Sequence, residues 1–118
     1  MTRIATIYHA CRKEEWEAAA ATGHYAGSSQ DAADGFIHFS AADQVKGSVA
    51  KHRAGQDGLV LVAVECARLG DGLKWEASRG GALFPHLYGP LPLTAVRWVA
   101  DLPLDPLGGG HVFPAIED

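Results

Sequence analysis

Three histidines stand in short runs of apolar, β-forming residues: Ile7-Tyr8-His9, Gly35-Phe36-Ile37-His38-Phe39-Ser40 and Phe84-Pro85-His86-Leu87-Tyr88-Gly89-Pro90. An imidazole in such a run either completes its hydrogen bonds inside the protein or faces a cleft, where it can move a proton or hold a ligand. The runs are far apart in the chain, so together they point to one pocket assembled from several elements. Pro85 and Pro90 restrict the backbone around His86 and Tyr88, which favours a preorganised wall bearing both side chains. In the second run Ile37 and Phe39 project opposite to His38. If those two enter the core, His38 faces the cleft or solvent.

Each candidate has a plain structural alternative. His9 at a strand end can be a satisfied core histidine, and Glu76 beside Trp75 can simply pair with Lys74 or Arg79. In a cleft, the Glu76 carboxylate would polarise an attacking hydroxyl or stabilise developing positive charge. Ser40-Ala41-Ala42-Asp43 has capping-box spacing, which favours Ser40 as a helix cap over a nucleophile. A helix start there also favours a bound anion such as a pyrophosphate. Six histidines raise the question of metal, but no His-x-x-x-His, His-x-His or Cys-x-x-Cys spacing occurs. Convergence of His9, His38 and His86 is the remaining three-histidine arrangement; no metal is expected. Cys11 has Glu14 and Glu15 nearby, which oppose a thiolate. His24 and Tyr25, after a helix cap, either form part of a ligand wall or, as expected, lie at the surface; Phe84 and Trp98 are expected in the core, and His52 and His111 are incidental.

The elements that must position these residues follow from periodicity and turn chemistry. A strand is expected over residues 3–9 and a helix over 11–22, closed by Gly23. Residues 26–34, rich in Gly, Ser and Asp, read as a loop. A short strand over 36–39 leads into a helix that buries Val45 and Val49, runs to about residue 53 and stops at Gly55. Gly47 inside it costs about 1 kcal/mol relative to alanine. The continuous aliphatic run at 59–65 predicts a central strand buried on both faces, and 73–77 a weaker one. Residues 79–92 hold three glycines and three prolines and read as an ordered loop across the pocket. A last strand is expected over 94–101, and residues 105–118 as a mobile tail.

Composition bounds the remaining choices. A chain of 118 residues with 47% hydrophobic and 20% charged residues suits one globular domain, here residues 1–104. The net charge of −4 gives no electrostatic case for nucleic acid or a membrane surface. No run approaches the roughly 18 apolar residues of a membrane span. Met1-Thr2-Arg3 leads into a strand-like segment without a signal-peptide pattern, and two cysteines suit reduced thiols, so the cytoplasm is the expected compartment.

With these residues assembled, a resemblance is visible. Ile7-Tyr8-His9, Trp16, Asp34-Gly35-Phe36-Ile37-His38-Phe39-Ser40, Gln44-Val45, Leu73-Lys74-Trp75-Glu76 and the run from Phe84 to Leu91 together resemble the bacterial domain of unknown function 952 family. More distantly, a strand ending in Tyr-His followed by a Gly-aromatic-Ile-His-aromatic-Ser strand resembles the ADP-ribosyltransferase fold, and within it the RNA 2′-phosphotransferases. That resemblance implies an α+β domain of two small mixed or antiparallel sheets flanked by helices, with NAD held between them. It implies His9 at the adenosine ribose, His38-Phe39-Ser40 on the nicotinamide side and Glu76 as counterpart of a catalytic glutamate, acting at a ribose C1′. Two features depart from it: Ala10-Cys11 stands where those enzymes carry Gly-Thr, and Arg79 is the only arginine close in sequence to the pocket runs.

The expectation is therefore an enzyme acting on NAD or another ADP-ribosyl compound, with Glu76 and His86 catalytic and His9, His38, Ser40 and Tyr88 binding the ligand. The alternative is a non-catalytic module that binds a nucleotide or small metabolite in the same pocket.

Overall fold

The aliphatic run from Leu59 to Val64 becomes the middle strand of a three-stranded sheet. The computed structural model describes residues 5–78 and 81–117. Along these the order is β1 (Thr6–Arg12), α1 (Lys13–Ala20), β2 (His24–Tyr25), α2 (Ser29–Asp34), β3 (Ile37–His38), α3 (Val45–His52), β4 (Leu59–Glu65), β5 (Leu73–Ala77), β6 (Leu83–Leu87), β7 (Leu91–Pro92) and β8 (Val96–Leu102). The sheets are β1-β4-β8, β3-β6-β5 and β2-β7, every pairing antiparallel. The result is a small α+β domain.

Alternation along β4 explains why it is buried on both faces. Val60, Val62 and Val64 pack with Ile7, Trp16, Ile37 and Phe39. Leu59, Leu61 and Ala63 point the other way and pack with Tyr8, Val45 and Val49. The β1-β4-β8 sheet is thus a middle layer. The β3-β6-β5 sheet and α1 cover one side, and α3 covers the other.

The structure departs from the expected elements in several places. β1 runs three residues beyond the expected end, because His9, Ala10, Cys11 and Arg12 pair in register with Val62, Leu61, Val60 and Leu59. Cys11 is therefore a strand residue, and α1 begins later, at Lys13. The start expected for this strand, at Arg3 and Ile4, lies outside the described residues. The stretch 26–34 is not all loop: Ser28 and Asp31 form the capping box of α2, which ends on Gly35 at φ 86°.

The expected box at Ser40 does not form. Ser40 exchanges backbone bonds of 2.8 Å with Tyr8 in both directions, which extends the strand pairing. α3 starts at Val45 without a side-chain cap. Gln44 braces its entry instead, accepting the Ala41 N–H at 2.9 Å and donating to the Leu83 carbonyl at 2.8 Å.

Residues 79–92, expected as loop, contain β6 at the centre of its sheet. Pro85 is tolerated there for a local reason. Phe39 N–H donates to the Pro85 carbonyl at 2.9 Å; the return bond, which proline cannot make, falls where β3 has already ended. The segment after Leu104 turns back on itself through a Leu104–His111 bridge. His111 Nε2 donates to the Gln56 carbonyl at 2.7 Å. Phe113 and Ile116 pack against the core beneath α3, and the Tyr8 hydroxyl bonds both the N–H and the carbonyl of Glu117. Among the described residues no helix is long and apolar enough to cross a membrane.

Candidate functional site

Strand alternation gathers four of the predicted residues, His38, Glu76, His86 and Tyr88, on one face of the β3-β6-β5 sheet. Ile37 and Phe39 are core residues, so His38 projects the other way, as alternation requires. His38 pairs with His86 across the sheet and His86 with Lys74. The His38 and His86 rings stand 5.3 Å apart, edge to face, and Phe36 stacks on His86 at 4.2 Å. Glu76 and Tyr88 lie two residues from Lys74 and His86 and so share that face.

Each of these histidines has its own carboxylate. His38 Nδ1–H donates to Asp31 Oδ1 at 2.6 Å, and Asp34 Oδ2 is 3.3 Å from its Nε2. The Asp31 bond and the two carboxylate charges raise the His38 pKa, against the pull of partial burial. His86 Nδ1–H donates to Glu76 Oε1 at 2.9 Å, and the Tyr88 hydroxyl donates to the same oxygen at 2.7 Å. Those two bonds, Tyr88 first, hold the Glu76 carboxyl below its usual range. The His86 side chain is 8% exposed, and its Nε2 has no partner among the described residues. A carboxylate that fixes Nδ1–H leaves Nε2 as a basic lone pair, the arrangement of a general base.

His9 differs. It lies in the core between Tyr25 and Phe39. Its Nδ1–H donates to the His38 carbonyl at 2.6 Å, so in the neutral ring Nε2 accepts the Tyr25 hydroxyl at 2.7 Å. Burial lowers its pKa although Asp31 Oδ2 is 3.7 Å away. Burial pushes the nearby Cys11 thiol up to about 11. Both His9 nitrogens are thus committed inside the protein. Tyr25, expected at the surface, is 1% exposed; His24 is exposed. Tyr25→Phe removes the donor to His9 and leaves a buried nitrogen unsatisfied. A loss of about 1–3 kcal/mol with the fold retained is expected, read from urea melts monitored at Trp fluorescence.

Asp31 links the two groups, and the sequence reading did not identify it. It is 3% exposed, and its Oδ2 accepts Ser28 N–H and Oγ–H at 2.8 and 3.0 Å. Its Oδ1 takes His38 N–H at 3.2 Å as well as the ring. Burial alone would raise this carboxyl, but these donors hold it at about 2. Gly27 makes room for it: a Cβ there would lie 2.7 Å from Asp31 Cβ, at a φ of +99°. The available signal was the Ser28-x-x-Asp31 spacing.

Two adjoining clefts, of about 270 and 330 Å³, open between this face and α3 and share His38, Ser48, His52 and Ser78. His9 and Ser40 line the first, and Phe84 and His86 the second. Ser40 is 5% exposed, and among the described residues no hydrogen bond joins its hydroxyl to a base. His52, read as incidental, lines both clefts. Arg79 lies outside the described residues. Among the described residues no three His, Cys, Asp or Glu side chains are arranged to hold a metal ion.

Residues 10–99 match the family described as "Protein of unknown function (DUF952)". The fold is similar to the crystal structure of protein CC0527 from Caulobacter crescentus, at 53% identity and a TM-score of 0.84, over 89% of this chain and 92% of that one. The solution NMR structure of the same protein aligns at 54% identity and a TM-score of 0.77, over 87% and 89% of the two chains. No curated protein matches the chain. On the family match over residues 10–99, the chain belongs to the domain of unknown function 952 family.

Proposed function

We propose that the domain handles a ribosyl-containing nucleotide such as NAD in the clefts between α3 and the His38–His86 face. It would act as a transferase-like or glycohydrolase-like enzyme of ADP-ribosyltransferase-like architecture. The observation that carries this reading is the cross-strand histidine pair, each ring on its own carboxylate, lining a common cleft. In this reading His86 takes the proton of the attacking hydroxyl through Nε2, and Glu76 orients His86 rather than touching the ribose. His38 and Ser40 bound the ligand, Tyr88 lines neither cleft and holds Glu76, and His9 supports His38 from beneath.

A second reading, a non-catalytic nucleotide or small-metabolite module, draws on a different observation. His9 and the carboxylates of Asp31 and Glu76 are already engaged within the protein. Titrating isotopically labelled protein with NAD over hours separates the two. The enzyme reading expects saturable amide shifts around residues 38, 48 and 86, with nicotinamide released in the same tube. His86→Ala should retain the shifts and slow release by about 10²–10⁴-fold, the usual worth of a general base. Shifts without release support the module. An unchanged spectrum at millimolar NAD overturns both readings for this ligand.

A further inference from the structure

The second cleft holds a glycine that its helix does not explain. Gly47 lies inside α3, where alanine is the better helix former. A Cβ built there meets nothing within 4 Å, so no packed neighbour requires its absence. Gly47 instead lines the cleft with Phe84, His86 and Lys51. Lys51, four residues on, shares its side of the helix. The His86 side chain is 8% exposed and its Nδ1 is held by Glu76, and among the described residues its Nε2 has no partner, so the basic nitrogen stands at the edge of this space.

We propose that this cleft is a slot for a planar nitrogen heterocycle carrying an anionic group, the chemistry of a nucleobase with an attached phosphate. The ring lies between Gly47 and Phe84, beside His86, whose Nε2 keeps its lone pair for the attacking hydroxyl. The anionic group sits against Lys51. A volume of about 330 Å³ accommodates such a ring, and a side chain at position 47 would occupy part of it. This rests on the nucleotide reading above and narrows it to the half of the site that takes the ring.

The test titrates wild type, Gly47→Leu, Gly47→Ala and Lys51→Ala with adenosine, AMP and ribose 5-phosphate, followed by amide NMR. For wild type, adenosine and AMP should shift the amides of residues 47, 84 and 86. Gly47→Leu should weaken both by about tenfold or more with a melting temperature equal to or above wild type. Gly47→Ala should fall between the two and reports the same blockage with one methyl. Lys51→Ala should weaken AMP and leave adenosine unchanged, and ribose 5-phosphate should ignore position 47. Equal adenosine affinity in wild type and Gly47→Leu overturns the slot, as does an absence of shifts at millimolar adenosine and AMP. Undiminished NAD turnover in Gly47→Leu also overturns it while sparing the ribosyl reading. Saturable AMP binding without nicotinamide release does the reverse.

Discussion

Asp31→Ala is expected to lower the unfolding free energy by about 2–4 kcal/mol, since hydrogen bonds to a charged group are worth about 1.5–3 kcal/mol and a lost helix cap about 1 kcal/mol. The carboxylate is 4% exposed and accepts bonds from Ser28 N–H and Oγ–H and from His38 N–H and Nδ1–H. Its loss uncaps α2 and removes the partner of the His38 ring. Asp31→Asn keeps the shape and loses the charge, so it should fall between the variant and wild type. Urea denaturation at neutral pH measures both, and a loss below about 1 kcal/mol for alanine would contradict the role assigned to Asp31.

The same residue sets a pH dependence whose sign can be worked out. Asp31 is held at about 2 against an ordinary 3.8. Its stabilisation, about 2 kcal/mol at 1.36 kcal/mol per unit, is present above 3.8 and is lost as pH falls toward 2. His9, lowered from 6.5, acts in the same direction: its contribution is present above 6.5 and declines as pH falls through its folded value. His38 is raised by Asp31 and Asp34, so its contribution is complete below 6.5 and is lost as pH rises through its folded value. His38→Asn should therefore flatten the alkaline side of a melting-temperature profile and also weaken the acid side, because the His38 ring is one of the donors that hold Asp31 low. An unchanged alkaline side would show that the His38–Asp31 pair contributes nothing to folding.

Deleting residues 105–118 is expected to cost about 4–6 kcal/mol. Phe113 and Ile116 each cover apolar surface beneath α3, worth about 1–2 kcal/mol apiece when half buried. The buried Tyr8 hydroxyl also loses both of its bonds to Glu117, each worth about 1 kcal/mol net. The urea midpoint of the truncated chain checks this, with Phe113→Ala as the single-site counterpart. Coincident melts of truncated and full-length protein would mean that the docked segment adds no stability.

The outward turn of His38 was legible because alternation is a geometric necessity once Ile37 and Phe39 are apolar. The burial of Leu59 to Val64 and of Val45 and Val49 was legible for the same reason. Asp31 was not. Ser28-x-x-Asp31 and Ser40-x-x-Asp43 carry the same local signal, and only the pairing of Ser40 with Tyr8 decides which becomes a cap. β6 was obscured by Pro85, whose missing N–H argues against a central strand until the end of β3 is known. Tyr25 follows a helix end in sequence, and nothing local reveals that its hydroxyl meets a histidine on β1.

The strand order also fixes how far apart in time the two halves of the site form. β5 and β6 are joined by a short connection and carry Glu76 and His86, so that half belongs to a hairpin that closes locally and quickly. The His9 half depends on β1 meeting β4, whose pairing brings together residues 12 and 59 and more distant ones. Such closure incurs its loop entropy before any contact rewards it. Contact order therefore predicts that the Glu76–His86 pair assembles on a nascent hairpin before the support beneath His38 arrives with the long-range sheet.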